Sequence, residues 1–248
     1  MALGDRIVIL HYHLFKNAGT SFDAILQQNF PDKWVTAEFS TQGADNSAEV
    51  ADWIAANPGA VAFSSHTMLG PVPAVEGVKI LPVMFFRDPL ARIASAYRFE
   101  RTQQADTFGA RLAKEVDDLA GYVHRRLERR EDRQCRNFQT ARLASLCPGP
   151  EPEFDRAVFA LDRLALAGLV EQFDASLQML QAKLHPYHPD FEPGSAHLNR
   201  SGGQGGPERQ IDADAELIEV LRAENAADLR LLEVVRNRAA GERARHAT

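Results

Sequence analysis

The sequence predicts an α/β protein in which helices flank a central parallel sheet. Compact apolar runs recur at residues 6–11, 60–64, 83–86 and 164–170, as expected of strands buried on both faces. Stretches with helical periodicity and recognisable start and stop signals separate them. That alternation is the pattern of strands joined by crossover helices.

Taken in order, Arg6 to His11 reads as the first buried strand, and Phe15 to Gly19 as a turn. Thr20 and Ser21 open a helix that stops near Asn29-Phe30-Pro31. Trp34 to Phe39 is a second strand, and Ser47 to Ala56 a helix ended by Asn57-Pro58-Gly59. Strands three and four are Ala60–Ser64 and Val83–Phe86. Asp88 and Pro89 then supply an N-cap and a first helical residue for a helix running through Tyr97 toward Arg101. Residues 108–145 are helical in pattern and rich in arginine, up to a Pro- and Gly-containing loop at 147–152. Leu164 to Val170 is a fifth strand and Phe173 to Leu184 a helix. A loop spans 185–207, and Asp212 caps a last amphipathic helix with Leu217, Leu221, Leu231 and Val235 on its apolar face. Residues 1–238 read as a single domain, and 239–248 as a polar, disordered tail.

At 248 residues and 45% hydrophobic content, the chain has enough apolar material for a sizeable core. A net charge of −6 gives no sign of a nucleic-acid partner. The apolar run at 7–10 is too short for a membrane span and lacks a signal-peptide layout. Cys135 and Cys147 make no metal spacing and no disulfide framework, the expectation for a reduced, cytoplasmic protein.

Two segments carry chemistry. Lys16-Asn17-Ala18-Gly19-Thr20-Ser21 lies between a strand and a helix, where unpaired backbone N–H groups make an anion site. Gly19 permits close approach, Thr20 and Ser21 add hydroxyl donors, and Lys16 can follow negative charge onto a leaving oxygen. The lysine precedes the turn, unlike the Gly-Lys-Ser/Thr of a Walker A loop. In the second segment Arg87 ends the fourth strand, with Arg92 and Ser95 on the helix that follows. An arginine and a hydroxyl at the carboxyl edge of a sheet suit a phosphate. A ligand with two separated phosphate ends would use both segments.

His13-Leu14-Phe15-Lys16-Asn17-Ala18-Gly19-Thr20-Ser21-Phe22 resembles the 5′-phosphosulfate loop of sulfotransferases that use 3′-phosphoadenosine 5′-phosphosulfate (PAPS). The nearest branch is that of heparan sulfate 2-O-sulfotransferase and bacterial carbohydrate sulfotransferases. Phe15 and Asn17 stand where that loop has proline and threonine. Arg87-Asp88-Pro89, Arg92, Ser95 and Tyr97 resemble the family's 3′-phosphate motif. Weaker echoes are Asn137-Phe138-Gln139-Thr140, Gly168 to Phe173, and Leu198-Asn199-Arg200-Ser201, the last resembling a loop that covers the nucleotide. The resemblance implies a P-loop-like three-layer sandwich and PAPS as donor cosubstrate without a metal. It further implies donor contacts from Lys16, Asn17, Ala18, Gly19, Thr20, Ser21, Arg87, Ser95, Asn199 and Arg200.

Transfer to an acceptor hydroxyl, on a glycan or glycolipid, needs a base. His66, just past the third strand, is the candidate, as a histidine in a comparable place serves that 2-O-sulfotransferase branch. At an ordinary pKa of about 6.5 its imidazole is mostly neutral at pH 7. His11 and His13, at the end of the first strand, are the competing candidates, and the resemblance implies that the histidine at position 13 supports the loop. Arg125, Arg129 and Arg133 share one face if a single helix continues through them, either as a track for an anionic acceptor or as a solvated, ion-paired surface. A nucleotide-dependent kinase and a non-catalytic nucleotide- or glycan-binding protein are the alternatives.

Overall fold

The structure is a computed structural model that describes residues 6–194 and 215–246. Five parallel strands form one sheet: β1 (Arg6–Tyr12), β2 (Trp34–Thr36), β3 (Ala62–Ser65), β4 (Val78–Phe86) and β5 (Leu166–Leu169), in the spatial order β2-β3-β1-β4-β5. β1 is central. It pairs with β3 from Ile9↔Ala62 to Tyr12↔Ser65, and with β4 from Arg6↔Val78 to His11↔Val83. Val8, Ile9 and Leu10 are fully buried, as are Val83 and Met84, so these strands have no solvent face to mark with polar residues.

The chain leaves β1 toward β2 and β3, and leaves β4 in the opposite direction, toward β5. β1 and β4 are neighbours, so their outgoing loops diverge and leave a crevice at the carboxyl edge of the sheet. Such a switch point is where open α/β sheets bind ligands.

The helices are α1 (Gly19–Asn29), α2 (Ser47–Ala56), α3 (Pro89–Thr102), α4 (Phe108–Glu115), α5 (Leu119–Leu127), α6 (Phe138–Ala144), α7 (Glu153–Ala160), α8 (Phe173–Leu184), α9 (Ala215–Glu224) and α10 (Ala226–His246). Asp88 caps α3 by accepting from the Ala91 N–H, with Pro89 in the first turn. A main apolar cluster surrounds the sheet. A second joins α3, α4, α5 and α9 through Ile93, Tyr97, Leu112, Tyr122 and Leu221. No helix among the described residues is long and apolar enough to cross a membrane. Cys135 is buried, its thiol raised to about 12 by burial, and neither cysteine is in a disulfide.

Several elements differ from expectation. β2 stops at Thr36 because the Phe39 N–H turns to donate to Thr67 Oγ1 (2.6 Å) and leaves the ladder. β4 begins five residues before Val83; the exposed Lys79 and the in-strand Pro82 hide its start from the apolar pattern. The last helix is two, broken at Asn225. The polar stretch after Ala239, expected as a tail, continues α10 to His246, and Lys183 pairs with Glu242 at 2.6 Å.

The arginine-rich middle is also reassigned. α5 ends at Leu127, so Arg129 and Arg133 are not on its face. Arg126 is buried and donates to Glu100 (2.7 Å) and Asp132 (2.8 Å), while Arg125, Arg129, Arg133 and Arg136 pair with Glu128, Glu131, Glu153 and Glu224. The ion-paired reading therefore holds for these side chains.

Two helix starts cap each other. The Asn137 side-chain oxygen accepts from the Ala227 and Asp228 N–H groups at the start of α10. The Asp228 carboxylate accepts from the N–H groups of Gln139 (3.1 Å) and Thr140 (2.7 Å) at the start of α6, and from the Thr140 hydroxyl (2.7 Å). Asp228 also lies close enough to the fully buried Arg92 to favour its charge. Asp228→Ala removes both cap hydrogen bonds at the start of α6, the bond from the Thr140 hydroxyl and one countercharge together. We expect a loss of about 3 kcal/mol or more in urea unfolding; a loss below about 1 kcal/mol contradicts this coupling.

Candidate functional site

The site is built on the turn between β1 and α1. Lys16 (φ 64°) and Ala18 (φ 59°) both adopt the left-handed conformation, which disfavours residues with a Cβ. Asn17 holds the turn in place. Its side chain is 1% exposed, and its Nδ2 donates to the Phe85 carbonyl and to Gln139 Oε1, both at 2.7 Å. Asn17 therefore faces inward and shapes the turn, and its side chain is not a direct anion contact.

α1 starts at Gly19 with Ala18 as a cap that has no polar side chain, and no acidic residue stands in its first turn. The Ser21 and Phe22 N–H groups donate to the Ala18 carbonyl, whereas those of Ala18, Gly19 and Thr20 find no acceptor among the described residues. Thr20 is exposed and Ser21 buried. Glycine at 19 has a reason beyond the one expected: a Cβ there would overlap the His13 ring, so the glycine makes room for that histidine.

Arg87, at the end of β4, lies on the same side of the molecule as the turn, and its Nη1 donates to the Lys16 carbonyl at 3.2 Å. Gln139, from α6, locks the two segments together. Its Oε1 accepts from Asn17 Nδ2 and from the Arg87 N–H (2.9 Å), and its Nε2 donates to the Arg87 carbonyl (2.8 Å).

Positive charge gathers here. The half-buried Lys16 ammonium lies 4.5 Å from the centre of the Phe99 ring, and burial, then Arg87 and Arg98, lower its pKa. Arg98 Nε is buried without a partner among the described residues, and no carboxylate there pairs with Lys16 or Arg98. Arg98 is the residue that sequence reasoning missed. It stands one helical turn after the half-buried Ser95, and a cation directly after the tyrosine of the Arg87–Tyr97 motif was the available signal. Arg92, by contrast, is not in the site. It is fully buried, donates to the Gln134 carbonyl and packs 4.5 Å from the centre of the Phe138 ring. Asn199 and Arg200 lie outside the described residues.

Beside the turn stands a histidine cluster. His11 and His13 donate from Nδ1 to the two oxygens of Asp23, on α1, each at 2.8 Å. His66 is exposed and its ring centre lies 3.7 Å from that of His13. Its backbone is fixed from two sides: Glu38 accepts from the His66 N–H (3.3 Å), and Arg142 Nη2 donates to the His66 carbonyl (2.6 Å). Burial of Asp23 opposes its ionisation, but the hydrogen bonds from His11 and His13 outweigh it and hold the carboxyl well below the usual range. Burial lowers the pKa of His13 and of His66, and so favours their neutral forms. His11, His13 and Asp23 have the composition of a metal cluster, but Asp23 already occupies the Nδ1 atoms of both rings.

Burial lowers the pKa of His188 too. All three folded-state values lie below that of the unfolded chain, so acidification protonates the unfolded state first. Stability is then lost as pH falls below about 6.5. Asp23 acts at lower pH: its contribution is present above about pH 4 and fades as pH falls through its depressed value. The urea midpoint is expected to drop between pH 7 and 5, and to drop less in His13→Gln. A midpoint that does not change over this range contradicts the assignment of neutral, buried imidazoles.

No protein-family model matches the chain. An uncharacterized protein of Archaeoglobus fulgidus is 38% identical over 223 residues, covering 86% of this chain and 86% of its own length. Similarity of that extent and coverage means that the chain belongs to the same family as this archaeal protein.

Proposed function

We propose that the protein is a PAPS-dependent sulfotransferase, built as a P-loop-like three-layer sandwich, that transfers a sulfuryl group to a hydroxyl of a carbohydrate acceptor. The observation that carries the proposal is the union of its two anion-binding segments at one switch point, where Gln139 joins the Lys16 turn to Arg87. The N–H groups of residues 18–20 and the Lys16 ammonium would take the 5′-phosphosulfate. Arg87, with Ser95 and Arg98, would take the 3′-phosphate.

The Arg87 guanidinium rests on the Lys16 carbonyl, so the two segments touch and are not an adenosine's length apart. In this proposal the donor draws Arg87 off that carbonyl onto the 3′-phosphate. Sulfuryl transfer is in line: the acceptor oxygen attacks sulfur as the bond to the phosphate oxygen breaks, and Lys16 stabilises the charge that develops there. The acceptor proton goes to the histidine pair, of which His66 is the more exposed member. The same convergence of Lys16, Arg87 and Arg98 supports a second reading, in which all three hold one polyphosphate and the protein is a nucleotide-dependent kinase.

Calorimetric titration with adenosine 3′,5′-bisphosphate and with ATP plus Mg²⁺ separates the two. The sulfotransferase reading predicts that the bisphosphate binds more tightly and that labelled PAPS transfers its sulfuryl group to a glycan hydroxyl. Preference for ATP with Mg²⁺ overturns it. Arg87→Ala and Arg98→Ala should each weaken bisphosphate binding by about 1.5–3 kcal/mol, the size of a charge-assisted hydrogen bond. Unchanged affinity removes the residue concerned from the site.

A further inference from the structure

We propose that His13 is the proton acceptor of this site and that Asp23 is its positioning residue, an assignment that rests on the sulfuryl-transfer reading above. The Asp23 carboxylate accepts from Nδ1 of His13 and Nδ1 of His11. An ionised carboxylate cannot donate, so the Nδ1 atom of His13 must carry the proton. In a neutral ring Nε2 is then the lone-pair nitrogen. That edge of the ring lies against Gly19, where any side chain would displace it, so Nε2 sits at the first residue of α1 and beside the unpaired N–H groups of the anion turn. It makes no hydrogen bond among the described residues. His66 has no carboxylate among the described residues that fixes its tautomer; its ring interacts with the His13 backbone, and its own backbone is held through Glu38 and Arg142.

The charged and titratable groups around His13 come from four places: Asp23 on α1, His11 on β1, His66 after β3 and Glu38 after β2. The two carboxylates favour a proton on His13, whereas burial and His11 oppose it. A ring with this balance is neutral at rest and gains its stabilising partner, Asp23, as it becomes charged. In the step itself the acceptor oxygen forms its bond to sulfur, and the bond from sulfur to the donor's phosphate oxygen breaks. The departing electron pair stays on that oxygen beside Lys16, and the acceptor proton moves to His13 Nε2. The resemblance assigned His13 to loop support, and its carboxylate partner is not apparent from the sequence. The partner is ten residues further on, in another element.

Three variants and two readouts test the assignment. His13→Gln should lower kcat by roughly 100-fold or more, with bisphosphate affinity within about threefold, while His66→Gln loses far less. In Asp23→Asn the acidic limb of the kcat/KM profile should move to lower pH, since loss of the carboxylate lowers the pKa of His13. Nitrogen-15 spectra of histidine-labelled protein should show His13 as the Nδ1–H tautomer, and a changed tautomer balance in Asp23→Asn. The result that overturns the role of His13 is a kcat within about threefold in His13→Gln. An Nε2–H tautomer, or an unmoved limb in Asp23→Asn, overturns the role of Asp23. If the unmodified protein neither binds the bisphosphate nor transfers the sulfuryl group, the sulfotransferase reading falls and the His13 role with it. The spectra decide the positioning by Asp23 without any turnover.

Discussion

The Gln139 carboxamide bonds from both its polar atoms to two segments far away in sequence. Oε1 accepts from Asn17 and from the Arg87 N–H, and Nε2 donates to the Arg87 carbonyl. The loops after β1 and β4 diverge by topology, and this side chain ties them together at their closest approach. The left-handed residues on either side of Asn17 are disfavoured on their own. They persist because the Asn17 amide is buried and doubly bonded between β4 and α6. Gln139 is itself placed by α6, whose first turn is capped by Asp228 from α10, beside the buried Arg92. A line of polar contacts thus runs from the last helix to the anion turn. Most of its polar groups are paired, which matters because an unpaired one is costly in the interior; Asn17 Oδ1 and Arg92 Nε are buried without a hydrogen-bond partner among the described residues.

The electrostatics at the crevice complement this frame. Most arginines of the middle segment are neutralised by neighbouring acids. Among the described residues Lys16 and Arg98 are not, and burial, then repulsion with Arg87 and Arg98, lowers the Lys16 pKa. Partly buried cations without countercharge destabilise a folded protein, and an anion seated on unpaired N–H groups relieves that strain. A few residues away the Asp23 carboxylate holds two imidazoles and leaves the His13 ring oriented at the same turn. Positive charge and an oriented imidazole therefore sit side by side, the arrangement the proposed transfer would use.

Much of this frame was legible in the sequence. The helices at 47–56 and 173–184 have the expected bounds, and the Asp88-Pro89 start of α3 is as read. In each case the signal is local: caps, breakers and periodicity. The two segments proposed to bind anions were singled out because strand-turn-helix junctions place chemistry at the edge of a sheet. What escaped depends on contacts distant in sequence. Asn17 looked like an anion contact, but its partners are 68 and 122 residues away. Gly19 was read as a point of ligand approach, and its further role of making room for His13 was not visible. Arg92 and Arg98 are indistinguishable by composition; only the packing of α3 against the α5–α6 region buries the first and leaves the second beside Lys16. Asp23 was invisible as a partner because nothing in a helix sequence reveals that two strand histidines converge on it.

The most direct measurement is a crystal structure of the protein with adenosine 3′,5′-bisphosphate. The account predicts the 5′-phosphate on the N–H groups of residues 18–20 beside Lys16, with Arg87 moved off the Lys16 carbonyl to the 3′-phosphate near Ser95 and Arg98. A nucleotide bound elsewhere, or an Arg87 still on that carbonyl with the 3′-phosphate away from it, contradicts the account.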